Sequence, residues 1–357
     1  MAPLNACYRL LAYIRQIKAN KLHKPAGDSL ATLKHDFLAN LVYCLGMAGR
    51  PRARTAIVDA VLPAAALAEL DVNGRTLHEL CRDAEGVLRW LAQYGLIHNS
   101  LHCDRCDIDM SLQSREGAFD GYCWACRHCK RRRSVTCDSF FAGAHLSLIQ
   151  LVDCIYWWSR QVKQMDACVE SGVSVQSMID WQNFIRDVCC QYLNHPVQMG
   201  GPGRTVEVDE SKFMHRKYHR GRYREGHWVL GMVERDTNVC MMVAVEDRDA
   251  ATLLPIIAQH VLPGTRVITD GWQAYNQLPQ PHDVVNYRLN FVDPNDPTLH
   301  TNTVEGSWAH VKAKFRAMHG TSDALFNSHL QEFLWRRVHP ERVFANILYW
   351  IRHYYPL

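Results

Sequence analysis

The order of strands and helices between residues 205 and 319 constrains the fold more than any other feature of this chain. Alternating and apolar runs predict three consecutive strands, after which helices and strands alternate. The predicted elements are strands at 205–213, 227–236 and 238–247, a helix at 250–262, a strand at 264–270, a helix near 272–278, a strand near 283–287 and a helix at 302–319. Three consecutive strands favour an antiparallel meander, and the later alternation favours parallel additions. The predicted fold class is therefore α+β or α/β, with a mixed sheet.

The composition is that of a globular protein with more than one domain. The chain has 357 residues, of which 48% are hydrophobic and 21% charged, so wholesale disorder and fibrous repeats are excluded. No segment has the length and apolarity of a membrane span, and no secretory signal is expected. Five regions are predicted: a helical N-terminal region (1–98), a cysteine-rich segment (99–142), a second helical region (143–198), the mixed α and β domain (199–337) and a helical C-terminal tail (338–357).

The second helical region has the outline of a helix-turn-helix. Gly172 breaks the helical pattern, and Ser174 is suited to cap the helix that follows. Such helix pairs bind DNA in some proteins and serve as plain scaffolds in others, so the pattern favours neither role.

Closely spaced cysteines predict a metal site in the cysteine-rich segment. The fourteen cysteines of a chain without a secretory signal are expected to be reduced thiols or metal ligands. Two pairs with Cys-x2-Cys spacing are typical of a zinc ribbon, in which four thiolates hold Zn²⁺ tetrahedrally. The predicted ligands are Cys103, Cys106, Cys126 and Cys129. Cys123 is the alternative in the second pair, His128 could also substitute, and Cys137 is not an expected ligand.

Two basic runs predict contact with phosphates. One directly follows the last predicted zinc ligand, and the other joins the first predicted strand to the second, with tyrosines among its cations. Either run could instead be a solvated charged surface. The predicted DNA-binding residues are Lys130, Arg131, Arg132 and Arg133 in the first run, and Lys212, Arg216, Lys217, Arg220, Arg222 and Arg224 in the second.

Three acidic residues occupy positions that suggest one shared site. Asp209 is predicted to end the first strand and Asp270 the fourth, while Glu305 lies in the first turns of the last helix. Acids at strand ends along the open edge of a sheet can converge. Lys312, seven residues after Glu305, projects from the same face of that helix. Each acid taken alone is more readily explained as a turn or capping residue, but the three in this order favour a site.

The types of these side chains suit hard divalent cations. Carboxylate oxygens are ligands for Mg²⁺, which keeps several of its waters. Two such ions about 4 Å apart can activate an attacking oxygen and stabilise the leaving oxygen of a phosphodiester.

Several motifs in a fixed order resemble one family. The segments VEVDESKF, HRKYHRGRYREGHWVLGMVER, TLLPIIAQHVLPGTRVITDGWQAY, NFVDP and HTNTVEGSWAHVK are similar to the transposase domain of Merlin-type DNA transposons and related bacterial insertion sequences. The resemblance covers about residues 101–337, including the zinc ribbon. It implies a ribonuclease-H-like catalytic domain, preceded by a helical region and a zinc ribbon.

The resemblance also implies a DDE-type active site. Its two aspartates match Asp209 and Asp270, its glutamate matches Glu305, and its basic residue on the same helix matches Lys312. The implied enzyme is a Mg²⁺-dependent (or Mn²⁺-dependent) transposase that cleaves transposon ends and joins them to target DNA. Its expected partners are double-stranded DNA and further copies of the chain, and its expected location is the nucleus. Two alternatives stay open: a host-adopted, catalytically silent DNA-binding protein, and a nuclease without joining activity.

Overall fold

A computed structural model describes residues 54–213, 226–280, 282–285, 296 and 298–357. In the first part of this range, short strands lie between two groups of helices. The helices are α1 (Ala65–Ala68), α2 (Gly74–Leu80), α3 (Ala84–Gln93), α4 (Leu148–Ser159), α5 (Gln164–Ser171) and α6 (Val175–Tyr192). The strands are β1 (His102–Cys103), β2 (Ile108–Asp109), β3 (Ser111–Ser114), β4 (Tyr122–Ala125) and β5 (Arg132–Ser134). The predicted helix pair is present as α5 and α6, with Gly172 in the left-handed conformation and the Ser174 hydroxyl capping α6.

The second part contains the predicted strand and helix order. The strands are β6 (Met199–Gly200), β7 (Thr205–Phe213), β8 (His227–Glu234), β9 (Cys240–Val245), β10 (Val261–Leu262), β11 (Arg266–Thr269) and β12 (His282–Val284). The helices are α7 (Ala250–His260), α8 (Asn302–Ala317), α9 (Asp323–Val338) and α10 (Val343–Tyr354), and Gln273–Gln277 form a 3₁₀ helix. None of the helices in the described residues is both long enough and apolar enough to span a membrane.

Five of these strands form one mixed sheet in the order β12-β11-β7-β8-β9. β7, β8 and β9 are an antiparallel meander, while β11 is parallel to β7 and β12 is parallel to β11. Counted along the chain, the order is 5-4-1-2-3, which is the ribonuclease-H-like arrangement. The predicted fold class is confirmed.

Strand alternation gives the sheet two apolar faces, and a helix covers each of them. On one face, Val206, Val208, Leu230 and Met232 pack with Leu253 and Ile257 of α7. On the other face, Phe213, Val229 and Val233 lie in one cluster with Val304, Trp308, Val311 and Phe315 of α8. The buried residues of α8 thus form one stripe, and it docks α8 along β7.

The cluster on the α8 face continues beyond the sheet. It includes Trp124 of the cysteine-rich segment, Ile155 of α4, Trp335 of α9 and Leu348 of α10. Residues 54–357 form one unit by their contacts. The five predicted region boundaries stay a prediction.

The structure corrects three local predictions. The first strand does not end at Asp209, because β8 pairs with β7 as far as Phe213. The helix predicted near 272–278 is a single 3₁₀ segment. The last strand of the sheet begins one residue earlier than predicted and ends at Val284, because its pairing with β11 covers only Val267–Thr269.

Candidate active site and metal centres

A buried glutamate fixes the start of α8 against β7. Glu207 is fully buried, and its carboxylate accepts hydrogen bonds from the backbone N–H groups of Thr303 (2.8 Å) and Val304 (2.9 Å). Arg235 donates to the same carboxylate at 2.7 Å. An anion at the N-terminus of a helix satisfies otherwise unpaired N–H groups. This contact fixes the position of the Glu305 backbone along β7.

One turn further along α8, a tryptophan contacts the first predicted catalytic aspartate. Trp308 Nε1 donates a 2.9 Å hydrogen bond to Asp209 Oδ2. Gly231 is the residue of β8 that pairs with Asp209, and a Cβ placed on it would lie 2.5 Å from Cζ2 of Trp308. The glycine thus leaves the space in which the indole ring lies. Trp308 and Gly231 together position the Asp209 carboxylate, and the sequence analysis assigned neither of them to the site.

We expect Gly231→Ala to lower the free energy of unfolding by about 1–3 kcal/mol, because the added methyl group overpacks the space filled by Trp308. Gly306→Ala is the matched control, since a Cβ at Gly306 on α8 meets nothing within 4 Å. Alanine at that helical position should raise the free energy of unfolding by up to about 1 kcal/mol. Urea unfolding of both variants measures the difference, and a fully stable Gly231→Ala variant would contradict this placement of the indole.

Three carboxylates meet where β7 leaves β11. The two strands pair only at Thr205–Glu207 with Arg266–Ile268, so Asp209 and Asp270 both lie beyond the shared stretch. Oxygen atoms of Asp209, Glu210 and Asp270 all lie within 4.8 Å of one another. The structure therefore brings the two predicted aspartates together and adds Glu210. Glu210 was not among the predicted site residues, although its place directly after Asp209 was a visible signal.

Glu305 is exposed in the first turn of α8, outside this group of three. Its Oε1 accepts a 3.4 Å hydrogen bond from the hydroxyl of Thr301. Its charge still acts on Asp209, because it contributes to the raised pKa of that residue. The predicted glutamate thus lies within electrostatic range of the aspartates without touching them.

Burial and mutual repulsion disfavour the charged forms of two of these acids. Burial is the main cause that raises the pKa of Asp209 to about 6, with Asp270 and Glu305 adding to it and the Trp308 hydrogen bond opposing it. Burial also raises the pKa of Glu210 to about 7, although Tyr275 donates a hydrogen bond to its carboxylate. A divalent cation would remove this repulsion, and three oxygen donors suit Mg²⁺ or Mn²⁺.

We expect the contribution of Asp209 and Glu210 to the free energy of unfolding to fall as the pH rises from about 4 to 7 in the absence of divalent ions. Their raised pKa values mean that these two carboxyls bind more protons in the folded chain than in the unfolded chain in this window, so their contribution falls as the pH rises. Asp209→Asn should flatten this dependence by about 2 kcal/mol. Mg²⁺ should stabilise the natural protein at pH 8 and much less at pH 5.

Urea unfolding at several pH values, with and without Mg²⁺, measures both effects. Asp236→Asn, at an exposed position after β8, is the control and should keep the natural pH dependence. An Asp209→Asn variant with the same pH dependence as the natural protein would show that folding does not raise the pKa of Asp209.

Cations lie on both sides of the carboxylates. Lys312 donates a hydrogen bond to Ser211, which lies two residues after Asp209 on the same face of β7. On the other face, the Arg248 guanidinium lies between two indole rings, 3.9 Å from the ring centre of Trp228 and 4.4 Å from that of Trp272. Arg248 also lowers the pKa of Glu210 by its charge. Lys312 was a predicted site residue, whereas no sequence signal pointed to Arg248.

The cysteine-rich segment brings four thiols together. Sulfur atoms of Cys103, Cys106, Cys126 and Cys129 lie within 4.8 Å of one another. Cys103 Sγ is 3.6 Å from Cys129 Sγ, close to the roughly 3.8 Å expected between two thiolates on one tetrahedral zinc ion. Cys123 is outside this group, since it lies within β4 opposite Gln113 and Ser134.

The two cysteine pairs have the same backbone geometry. In the first, the N–H of Asp107 donates to the carbonyl of Cys103, and in the second the N–H of Lys130 donates to that of Cys126. Asp107 and Lys130 both have a positive φ, so each pair forms the same tight turn. Backbone N–H groups of Cys129 and His128 lower the pKa of the Cys126 thiol to about 6. This donor set fits zinc. His128 Nδ1 lies 3.4 Å from Cys106 Sγ, at the edge of the group.

The first basic run divides into paired and unpaired cations. Arg131 forms an ion pair with Asp104, and Arg133 forms one with Asp138. Lys130 and Arg132 are exposed and make no ion pair with the described residues. Of the second run, Lys212 lies on β7 with its ammonium 5.3 Å from the ring centre of Trp228. Its other predicted DNA-binding residues lie outside the described residues: Arg216, Lys217, Arg220, Arg222 and Arg224.

One protein-family model and two curated proteins match parts of this chain. The ISXO2-like transposase domain matches residues 200–337. An uncharacterised transposase-like protein of Haemophilus influenzae is 30% identical over 97 residues, which cover 26% of this chain and 76% of that protein. The male abnormal protein mab-31 of Caenorhabditis elegans is 26% identical over 173 residues, or 40% of this chain. The match spans only 38% of the length of mab-31.

Solved structures with a similar chain path include retroviral integrases. An intasome of simian T-cell lymphotropic virus in complex with a PP2A regulatory subunit matches with a TM-score of 0.26 and 14% identity, over 52% of this chain and 67% of that one. The HTLV-2 integrase catalytic core in complex with magnesium matches with a TM-score of 0.25 and 11% identity, over 38% of this chain and 84% of that one. The ribonuclease-H-like strand order follows from the sheet itself and does not depend on these similarities.

Proposed function

Because the chain belongs to the family of ISXO2-like DDE transposases, we propose that it cleaves DNA at the ends of a mobile element and joins the ends to target DNA. The proposed substrate is double-stranded DNA, and the proposed cofactors are Mg²⁺ or Mn²⁺ at the carboxylates and Zn²⁺ at the four cysteines. The observation that carries the proposal is that Asp209, Glu210 and Asp270 lie together where strands β7 and β11 of a ribonuclease-H-like sheet separate.

Asp209, Asp270 and Glu305 are the proposed ligands of the catalytic metal ions, and Glu210 adjoins them. When bound, these ions would activate the attacking oxygen and stabilise the leaving oxygen of a phosphodiester. Asp209 is held in place by the Trp308 hydrogen bond, and the start of α8 is held by Glu207, so Asp209 and the backbone that carries Glu305 occupy fixed positions before any ligand binds.

Lys312 is the proposed contact for a phosphate next to the bond that is cut. Its helix places it two turns after Glu305, on the side of β7 that carries Asp209. A cation at this position would attract the DNA backbone to an otherwise acidic site.

Lys130 and Arg132 are the proposed DNA contacts of the cysteine-rich segment, because their charges are not matched by described acids. Arg131 and Arg133 already pair with aspartates, so their net attraction for phosphates is weaker. The proposed assembly is a dimer or a larger oligomer, since joining requires two ends. The expected nuclear location stays a prediction.

One experiment separates the proposal from its two alternatives. The protein is incubated with duplex DNA containing the terminal repeats that flank its gene, in Mg²⁺ or Mn²⁺, with intact ends or with pre-cleaved 3′-OH ends. Cleavage of intact ends and joining of pre-cleaved ends are expected. Cleavage without joining would identify a nuclease. Binding without either reaction in both metals would identify a silent DNA-binding protein.

A further inference from the structure

The residues that line an aromatic cavity are separate in sequence from those of the carboxylate cluster, and the proposed reaction does not involve this cavity. It has a volume of about 340 Å³ and lies between the segment after the cysteine-rich strands, α6 and the C-terminal tail. Six of the side chains that line it decide its chemistry: Phe140, Trp181, Phe184, Tyr355, Asp180 and Asp187.

Its four aromatic rings stand at steep angles to one another. Phe140 and Trp181 make an interplanar angle of 72°, and Trp181 and Phe184 one of 80°. Phe140 and Tyr355 make an angle of 68°. Neighbouring rings are 5.1–5.7 Å apart by their centroids, so they form adjoining walls. Phe184 is 48% exposed, so this wall of the cavity is open to a ligand.

Two carboxylates line the cavity. Asp180 and Asp187 both lie on α6, and His145 is a further titratable residue of the lining. Arg186, the one Lys or Arg residue of α6, is buried, and its charge acts on both Glu332 and Asp187. Within the described residues, Asp187 forms no ion pair. A DNA phosphate would be repelled here, so the charge of α6 disfavours the DNA-binding role left open for the helix pair.

We propose that this cavity binds the trimethylammonium group of a methylated lysine side chain on a partner protein. Aromatic faces attract a cation through their negative quadrupoles, and several walls surrounding one bulky, weakly hydrated ammonium group maximise that attraction. The two carboxylates complement its charge. This binding site is independent of the proposed reaction at the carboxylate cluster.

The shape and rim of the cavity favour a peptide lysine over a small free amine. The cavity has room for part of an alkyl chain in addition to the ammonium head. Ala142 and Gly143 at its mouth are exposed and small, so their backbone groups can reach a peptide.

The test uses the full chain and three acetylated Ala-Lys-Ala peptide amides. Their central residue is lysine, trimethyllysine, or the neutral analogue with a tert-butyl group in place of the trimethylammonium. Ligand-observed NMR follows the methyl protons, which should shift upfield inside the ring currents of the cavity. We expect trimethyllysine to bind about 10- to 30-fold more tightly than the neutral analogue.

Two variants and their matched controls locate the binding. Phe184→Leu keeps the apolar bulk but removes one aromatic wall, and it should weaken binding about tenfold. Phe119→Leu makes the same change at an exposed phenylalanine that does not line the cavity and contacts only His145 of the lining, so it should weaken binding far less than Phe184→Leu. Asp180→Asn should weaken binding several-fold, whereas Asp166→Asn on α5 should not.

Three results would overturn the proposal. The first is equal binding of the trimethyllysine peptide and its neutral analogue, which would show that only apolar burial operates. The second is the absence of an upfield shift with a folded protein. The third is tighter binding of choline than of the trimethyllysine peptide, which would rule out the peptide as the ligand. Each result is independent of DNA cleavage.

Discussion

Replacing Asp270 with Asn is expected to reduce DNA cleavage and joining by about a thousandfold or more. The change removes one of the charges that meet beyond the paired stretch of β7 and β11, and it removes an anionic oxygen ligand at almost constant volume. Stabilisation of charge by a bound metal ion contributes several kcal/mol to the transition state, and each 1.4 kcal/mol corresponds to a factor of ten in rate. The rates are measured on the terminal-repeat substrate under saturating Mg²⁺.

Binding of the same DNA separates a catalytic defect from a folding defect. Asp270→Asn should bind the terminal repeats at least as tightly as the natural protein, because it removes a negative charge from a surface that approaches phosphates. Asp236→Asn, at an exposed position after β8, should keep both activities. Cleavage by Asp270→Asn near the natural rate would show that this acid holds no catalytic metal ion.

Glu305 and Glu210 differ in a way that the same assay can resolve. Glu305 matches the family motif but is exposed and lies outside the close group, whereas Glu210 lies within the group and is held by Tyr275. An acid on the first turn of a helix can approach the aspartates by a change of side-chain rotamer. A carboxylate fixed by a phenol cannot turn without losing its hydrogen bond. The proposed role of Glu305 as a metal ligand therefore requires such a rotamer change, whereas Glu210 already lies within the group.

The sheet was predictable because its signals are local. Alternation in residues 205–213 predicts β7 over its whole length, and three successive strands can hardly pair except as a meander. The same alternation continues past Asp209, so the prediction that Asp209 ends the strand conflicted with it, and the pairing with β8 shows that Asp209 lies inside β7.

The contacts that support Asp209 could not be predicted from the sequence. In the sequence, Trp308 is indistinguishable from the other buried residues of α8, and Gly231 indicates only a residue with low strand propensity in β8. Their relation depends on the register between β8 and α8, which places the indole ring over the glycine. The cysteine pairs show the opposite case, because the x2 spacing encodes a local turn. The sequence therefore indicated, without any tertiary information, the same four thiols that the structure brings together.

Removal of one zinc ligand should have the largest effect on stability in the chain. We expect Cys126→Ser to lose the bound zinc ion and to lower the melting temperature by about 10 °C or more. Zinc binding supplies on the order of 10 kcal/mol of folding free energy in small zinc domains, and half of that would account for such a change. The effect should spread, because Trp124, fully buried in β4 two residues before Cys126, lies in the same apolar cluster as α8, which covers one face of the sheet.

Cys123→Ser is the matched control, since Cys123 is a buried thiol three residues earlier that lies outside the group of four. It should keep one zinc ion per chain and lose only the packing of one sulfur atom. Metal content is measured by mass spectrometry of the purified proteins, and unfolding by near-ultraviolet circular dichroism, which reports on buried tryptophans. If Cys123→Ser lost the zinc and Cys126→Ser kept it, the ligand pair would be Cys123 with Cys129 or His128. The matching turns after Cys103 and Cys126 would then have no role in metal binding, although a positive φ at both Asp107 and Lys130 is the geometry that aims two thiolates at one ion.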